Sequence, residues 1–490
     1  MKKTILFFSL LLILFTFNYS KAEAGYYYSY YGTVIDSIEP YRHVKTITPP
    51  DLNIQFGELT DMFIFKDKIY LLDGKLNRIV VLDENHQVVK TYPQDSNYDN
   101  IGMSNPKGLF VTDEINENGS AITYIYVADT GKSRILKIRE NGLYKEFTTP
   151  DELIFQGDNA VAYKPEKIAV NSTGKMYVIA TGVYEGILEL DPDGTFSRYV
   201  GTNKVAISLI DRFWMLFMTK EQRNKLNLYL PTQFLNLDID KENFVYTVSQ
   251  TSDGSGNDMI KRLNTKGFDV LTRTGYFPPK GDISYIWWYS QDVPNGLSSL
   301  VDITVNEYGM YSVLDVKRGR IFTYDYNGNL LYIFGGNGKQ VGTFSNAVAI
   351  QYVGDNLYVL DSTSNTISIF EPTHFGALVN QAAQLDYLGD YDASTEAWKE
   401  TLKYNNNYYL AYRAIGRTNY VNGDYKEAME NFKLAYDKTN YSLAYKEYRN
   451  ERLKQYFPII VVLIFVAVGV LLYSSVRDNY RQSQETGRNE

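Results

Sequence analysis

The chain reads as mainly β with α: a six-bladed β-propeller, then a short α-helical repeat, then a single transmembrane helix. Three observations carry this. One strand-turn-strand phrase occurs six times between Tyr70 and Pro372; residue types recur at an interval of 34 from Gly389 to Gly423; and an uncharged apolar run spans Phe457 to Tyr473. Self-similarity at a fixed period marks architectures in which each unit buries its apolar face against its neighbour.

The clearest copy runs Ile125-Tyr126-Val127-Ala128-Asp129-Thr130-Gly131 into Arg134-Ile135-Leu136-Lys137-Ile138 and then Asn141-Gly142. Related copies begin at Tyr70, Tyr177, Tyr246, Tyr311 and Tyr358, and an isoleucine reopens the apolar run at Ile79, Ile135, Ile187, Ile260, Ile321 and Ile367. Alternating apolar residues broken by Gly, Asp, Asn and Ser predict antiparallel strands joined by hairpins. A shorter run precedes each copy, opening at Asp61, Gly108, Lys167, Asn236, Asp302 and Ala347. Each unit is therefore expected to hold an inner strand, two middle strands and a trailing strand such as Leu330 to Phe334. Four-stranded sheets repeated radially form a propeller. The last unit lacks a trailing strand, because the pattern turns helical after Pro372, and His43 to Ile47 is placed to supply it. The propeller is thus bounded at 43–372.

These units resemble NHL repeats, with Asn105-Pro106-Lys107-Gly108, Tyr126-Val127-Ala128-Asp129 and Arg134-Ile135 as the fullest match. The units at Tyr177 and Tyr246 depart from the pattern by lacking the Asp and the Arg. The resemblance implies the propeller fold and no particular activity.

Lys2 and Lys3 precede an apolar run from Ile5 to Phe17 and an Ala22-Glu23-Ala24 cleavage pattern, so 1–24 reads as a signal peptide. Residues 25–42 read as a Tyr-rich exposed leader that specifies no strand. The run 457–473 is apolar all round and long enough to cross a bilayer core, and 474–490 follows as a tail. Basic residues flank the run on both sides, so orientation follows from the signal peptide: a large N-terminal part outside, a cytoplasmic tail, one span in the cell membrane. The chain has 0 Cys, which beside a secretory signal fits a bacterium, of the Gram-positive kind. A net charge of -8 argues against nucleic acid, which needs a basic face.

Between propeller and span, Gly389-Asp390-Tyr391 recurs as Gly423-Asp424-Tyr425, Trp398 as Phe432, and Ala382 as Gly416. The interval and residue types resemble the tetratricopeptide repeat (TPR), giving two repeats over 377–440 and a capping helix over 443–456 that continues toward the span. Such repeats imply either a peptide-binding surface or a spacer, and two copies favour the spacer.

No catalytic constellation emerges. His43, His86 and His374 lie far apart in the pattern, without a triad partner or a ligand-spaced neighbour. Aligning the inner strands brings Asp61, Asn236 and Asp302 to one level of the central channel, where their oxygens suit a divalent cation such as calcium. The set is similar to the metal site of gluconolactonase-type propellers, but the Glu is missing and Lys167 intrudes; the competing reading is a polar channel mouth with a Lys–Asp contact. Asp253 to Asp258 looks calcium-like without the spaced ligands of a calcium loop.

Two insertions break the rhythm: an amphipathic stretch from Ile207 to Leu228, and Tyr276 to Gly296, which carries Tyr285, Trp287, Trp288 and Tyr289. Those aromatics are the candidate ligand-binding residues, for a protein surface or a carbohydrate, with packing onto the first insertion as the alternative. The expected function is a non-catalytic, membrane-anchored extracellular binding scaffold, accessory to a transport or envelope complex, with protein partners and no resident cofactor. The alternative is a metal-dependent lactonase-like hydrolase using the channel.

Overall fold

The computed structural model describes residues 25–93, 101–115, 118–157, 160–202, 233–250, 256–283 and 296–486. The signal sequence, the whole Ile207–Leu228 insertion with its flanks, and the aromatics at 285–289 lie outside the described residues. The chain divides into two compact units, Met1–Asp390 and Tyr391–Glu490.

The first unit opens with β1 (Tyr26–Tyr28), β2 (Val34–Asp36) and β3 (Tyr41–Ile47). Blade one is β4 (Leu59–Phe65), β5 (Lys68–Asp73), β6 (Arg78–Leu82) and β7 (Val88–Tyr92); blade two is β8 (Gly108–Ile115), β9 (Ala121–Asp129), β10 (Arg134–Arg139) and β11 (Gly142–Phe147). Blade three is β12 (Pro165–Val170), β13 (Met176–Ala180), β14 (Ile187–Leu190) and β15 (Phe196–Val200); blade four is β16 (Phe234–Ile239), β17 (Val245–Ser249) and β18 (Ile260–Leu263). Blade five contains β19 (Leu300–Val305), β20 (Tyr311–Asp315), β21 (Arg320–Tyr324) and β22 (Leu330–Gly335), and blade six β23 (Ala347–Val353), β24 (Asn356–Asp361) and β25 (Thr366–Pro372). The inner strands touch in the cycle β4, β8, β12, β16, β19, β23 and back to β4, which closes a six-bladed ring.

Closure comes from β3, which pairs antiparallel with β25 from Ile47 opposite Ile367 to Tyr41 opposite Pro372. The expected closing strand is present and begins two residues earlier, at Tyr41. That residue is fully buried, stacks on Phe334 at 4.8 Å and donates its hydroxyl to the Asp355 carbonyl at 2.7 Å.

The repeated Asp explains why the phrase is regular. Asp73 is fully buried and accepts from the Gly57, Glu58 and Leu76 amides, while Asp315 and Asp361 do the same in blades five and six. Asp129 accepts from the Ser104 amide at 2.7 Å and from Arg134 Nε at 2.7 Å. Each carboxylate answers N–H groups of the segment entering its blade and so ties that segment to the middle strands.

Two expectations are corrected. Blade four has three strands among the described residues rather than four: outside β18, Val270 N donates to the Arg262 carbonyl, but Asp269 answers Arg262 N with its side chain, and Arg273 donates to the Ile260 carbonyl. Side chains thus cover an edge that a trailing strand covers elsewhere. The Tyr-rich leader is not an exposed tail: Tyr26, Tyr27 and Tyr28 are buried, and β1 with β2 extends blade five to six strands. The sequence lacks alternation because both faces of β1 are covered, and period two marks only half-buried strands.

Helix α1 (His374–Leu388) completes this unit. Thr373 caps it by accepting from the Gly376 amide, and Gly376 passes so close to Pro40 that a Cβ there would lie 1.9 Å from the Pro40 carbonyl oxygen. Asn380, buried, accepts from Tyr332 Oη at 2.6 Å and donates to Tyr41 Oη at 3.1 Å. Farther along, Tyr387 packs against Tyr308 and Tyr326. The helix therefore rests on the β-turns that join β19 to β20 and β21 to β22.

The second unit comprises α2 (Tyr391–Tyr404), α3 (Tyr409–Asn422), α4 (Tyr425–Leu434) and α5 (Lys438–Thr486), each packed on the next. Gly416 lets Phe432 approach, since a Cβ would lie 2.9 Å from its ring, and Gly423 at φ 88 turns the chain after α3. Trp398, buried, stacks on Tyr408. The stretches expected as capping helix and apolar span form one continuous helix, α5, whose apolar segment is long enough to cross a bilayer and is 0% buried.

Candidate functional site

Strand register places the channel residues. Asp61 lies opposite Leu72, Lys167 opposite Ile179, Asn236 opposite Val248 and Asp302 opposite Leu314, each just after a β-bulge. Gly108, opposite Ala128, holds the same place in blade two without a bulge. In blade six the equivalent is Ala349, opposite Leu360, and not Ala347, which faces Asp361. The sequence misleads there because small residues occupy both positions and the bulge residue between them is invisible to an apolar pattern.

Asp61, Asn236 and Asp302 each reach the next blade, whereas Lys167 reaches across the channel. Asp61 Oδ1 accepts from its neighbour Met62 N at 3.1 Å, and Oδ2 accepts from Leu109 N of blade two at 2.8 Å. Asp302 repeats the geometry, with Ile303 N at 2.8 Å on Oδ1 and Ile350 N of blade six at 2.6 Å on Oδ2. Asn236 joins the series by donating Nδ2 to Asp302 Oδ1 at 2.6 Å. Lys167, which has no acceptor to offer, places its ammonium 2.9 Å from Asp61 Oδ1, so blades one and three are linked by an ion pair. A second tie lies one turn of the pleat farther on, where Asp238 Oδ2 accepts from Val305 N at 2.9 Å.

The expected ligands Asp61, Asn236 and Asp302 are thus brought to one level of the ring, and Asn236 and Asp302 touch. All are buried. Burial pushes the Asp302 carboxyl up to about 8, against the pull of the Lys167 charge and with a further push from Asp61. Burial likewise raises Asp238 to about 6, against its amide donors. The carboxylate oxygens of Asp61 and Asp302 are occupied by N–H donors, an arrangement suited to fastening blades. Among the described residues there is no group of three or more His, Cys, Asp or Glu able to hold a metal ion.

The histidines remain apart. His43 Nε2 bonds Thr46 Oγ1 at 2.8 Å, His86 Nδ1 lies 3.1 Å from Lys45 Nζ, and His374 is the first residue of α1. Of the calcium-like stretch only Gly256 to Asp258 is described, and Tyr285, Trp287, Trp288 and Tyr289 lie outside the described residues.

The flanks of that aromatic stretch hold what the sequence did not disclose. Asp282 is 2% exposed and accepts hydroxyl bonds from Tyr26 and Tyr28 and guanidinium bonds from Arg318 and Arg320. The only prior signal was two tyrosines at i and i+2, which share a face if residues 26–28 are a strand.

The fold and these sites define a six-bladed β-propeller followed by a helical region with one long apolar helix. No protein-family model matches the chain, and no curated protein matches it. Among solved structures it is similar to virginiamycin B lyase from Staphylococcus aureus, at 11% identity over 67% of this chain and 99% of that one, with a TM-score of 0.38. A streptogramin B lyase gives 12%, 72%, 100% and 0.36. BamB from Moraxella catarrhalis gives 11%, 68%, 99% and 0.33. At these values the likeness bears on neither activity nor partner.

Proposed function

We propose that this protein is a non-catalytic scaffold, secreted through its signal peptide and held in the cell membrane by α5, with the propeller outside and the tail in the cytoplasm. In this reading α2 to α4 are a TPR-like spacer. The aromatics Tyr285, Trp287, Trp288 and Tyr289 form the surface that binds a partner protein or a carbohydrate. The observation that carries the proposal is α5: none of its apolar segment is buried, from Phe457 at 64% exposed to Tyr473 at 70%, in a helix whose first turns are packed on α4. Exposed apolar surface on that scale has no place in water and a natural one in lipid.

The channel supports the same reading. A calcium-dependent hydrolase would have to strip the amide donors and the Lys167 ammonium from Asp61 and Asp302 before either could bind metal.

Ending the chain after Tyr456 should release the protein from the membrane fraction into the soluble one, with its thermal unfolding unchanged. External protease on intact cells should remove the propeller of the full chain. Retention of the shortened chain in the membrane, or protection from external protease, would contradict the anchor and its orientation respectively.

A further inference from the structure

Helices α1, α3 and α4 end alike. After each, one residue enters the left-handed region, and its amide and the next close the last turn. Gly389 N donates to the Asp386 carbonyl and Asp390 N to Leu385; Gly423 N to Tyr420 and Asp424 N to Asn419; Tyr436 N to Lys433 and Asp437 N to Phe432. The left-handed residue is glycine at φ 81 and 88 in the first two, as this motif prefers, and tyrosine at φ 56 in the third. A bulky side chain is a genuine outlier in that conformation, and strain of this kind gathers at ligand sites. The following Asp fixes the junction of α4 with α5: Asp437, buried, takes Arg413 Nε at 3.0 Å, Asn440 N at 3.0 Å and Asn440 Nδ2 at 2.6 Å.

Tyr436 lines a cleft of about 1000 Å³ bounded by the turn before α3, the end of α4 and the start of α5. That volume is at the upper end of the usual range for small-ligand sites. Phe432 also lines it and is buried, and Tyr436 stands edge-on to Tyr409, with ring centres 5.3 Å apart. Tyr412 and Tyr441 add two more rings to the lining. Tyr412 donates its hydroxyl to the Asn406 carbonyl at 3.1 Å and to Asn406 Oδ1 at 2.9 Å, which leaves the Asn406 side-chain nitrogen as a donor at the cleft. The charges along the lining cancel, Glu430 and Asp437 against Lys433 and Lys438.

This chemistry selects among ligands. A wholly apolar molecule would cover Asn406, Asn407 and Ser442 without answering them. An ion of either sign meets no surplus of opposite charge. A molecule with apolar C–H faces and a rim of hydroxyls meets both needs, since tyrosine rings pack on the faces and side-chain amides both donate and accept. We propose that the cleft between α3, α4 and α5 binds a short uncharged oligosaccharide, and that Tyr436 takes the left-handed place of a glycine in order to present its ring there. The site gives a ligand to the helices read above as a spacer. It is a second site, independent of the aromatic segment in the proposed function.

The test is calorimetric titration of the full chain with cellotetraose, maltotetraose and chitotetraose, in a phosphocholine detergent that carries no sugar headgroup. At least one should bind saturably. Tyr436→Gly restores to the third turn the residue found in the other two, so its Tm should equal or exceed that of wild type while the affinity falls about tenfold. Tyr409→Ala should weaken the same titration, and Trp287→Ala/Trp288→Ala should leave it unchanged. Binding of none of the three sugars would overturn the proposal, as would equal binding by wild type and Tyr436→Gly, which marks Tyr436 as a packing residue alone. Loss of sugar binding in the tryptophan variant with full binding by Tyr436→Gly would also overturn it, by assigning the sugar to the other segment.

Discussion

Tyr41→Ala is expected to destabilise the propeller by about 3–5 kcal/mol, the range for truncating a buried large aromatic. The residue is fully buried at the place where three parts of the unit meet. Its strand closes blade six, its ring stacks on Phe334 of blade five, and its hydroxyl joins the Asp355 carbonyl to Asn380 of α1. Truncation leaves a cavity and two unanswered polar groups, costs that add. Tyr41→Phe keeps the ring and should cost about 1–3 kcal/mol, the desolvation of partners left without a bond. Urea unfolding of the full chain in detergent distinguishes the two. Equal, small effects would mean that the ring closes without this residue.

Asp302→Asn is expected to change how stability depends on pH. An Asp in an unfolded chain titrates near 3.9, whereas burial holds Asp302 at about 8 in the fold. The folded state therefore binds this proton more tightly. Its contribution is fully present below about pH 4 and is lost as pH rises toward 8, by at most about 1.4 kcal/mol per pH unit. Asp238 and Asp325, both raised to about 6 by burial, act in the same direction over a narrower window. Comparing variant with wild type cancels them. An Asn at 302 carries no charge and keeps an acceptor, so the Tm of the variant minus that of wild type should rise from pH 5 to about pH 8 and level off above it. A difference that does not vary with pH would place the titrating group elsewhere.

Both predictions concern the scaffold, which is also what the sequence disclosed best. Tyr126 to Asp129 and its copies are legible because blade strands are local hairpins whose turn residues and apolar spacing lie within one unit. The ring closure by His43 to Ile47 was legible from a deficit, the missing trailing strand of the last unit. The failures have physical causes. Ala347 stands in the apolar pattern where Ala349 stands in the ring, because a bulge changes register without changing composition. The Tyr-rich stretch reads as a tail because a strand covered on both faces shows no alternation. The surroundings of Asp282 were hidden because its partners, Tyr26, Tyr28, Arg318 and Arg320, are remote in sequence and brought together only by the ring. Asp61, Asn236 and Asp302 were correctly placed at one level, yet their inter-blade bonds to Leu109, Ile350 and each other depend on backbone amides that a sequence does not display.

On the proposed function, binding belongs to the aromatic segment between blades four and five, while the channel residues fasten the ring. The direct measurement is in-cell crosslinking of three membrane-anchored chains: wild type, Trp287→Ala/Trp288→Ala, and Asp302→Asn. The account predicts that the double tryptophan variant loses the captured partner or glycan at unchanged protein level, while Asp302→Asn captures as wild type does. Loss of capture in Asp302→Asn with full capture by the tryptophan variant would contradict it.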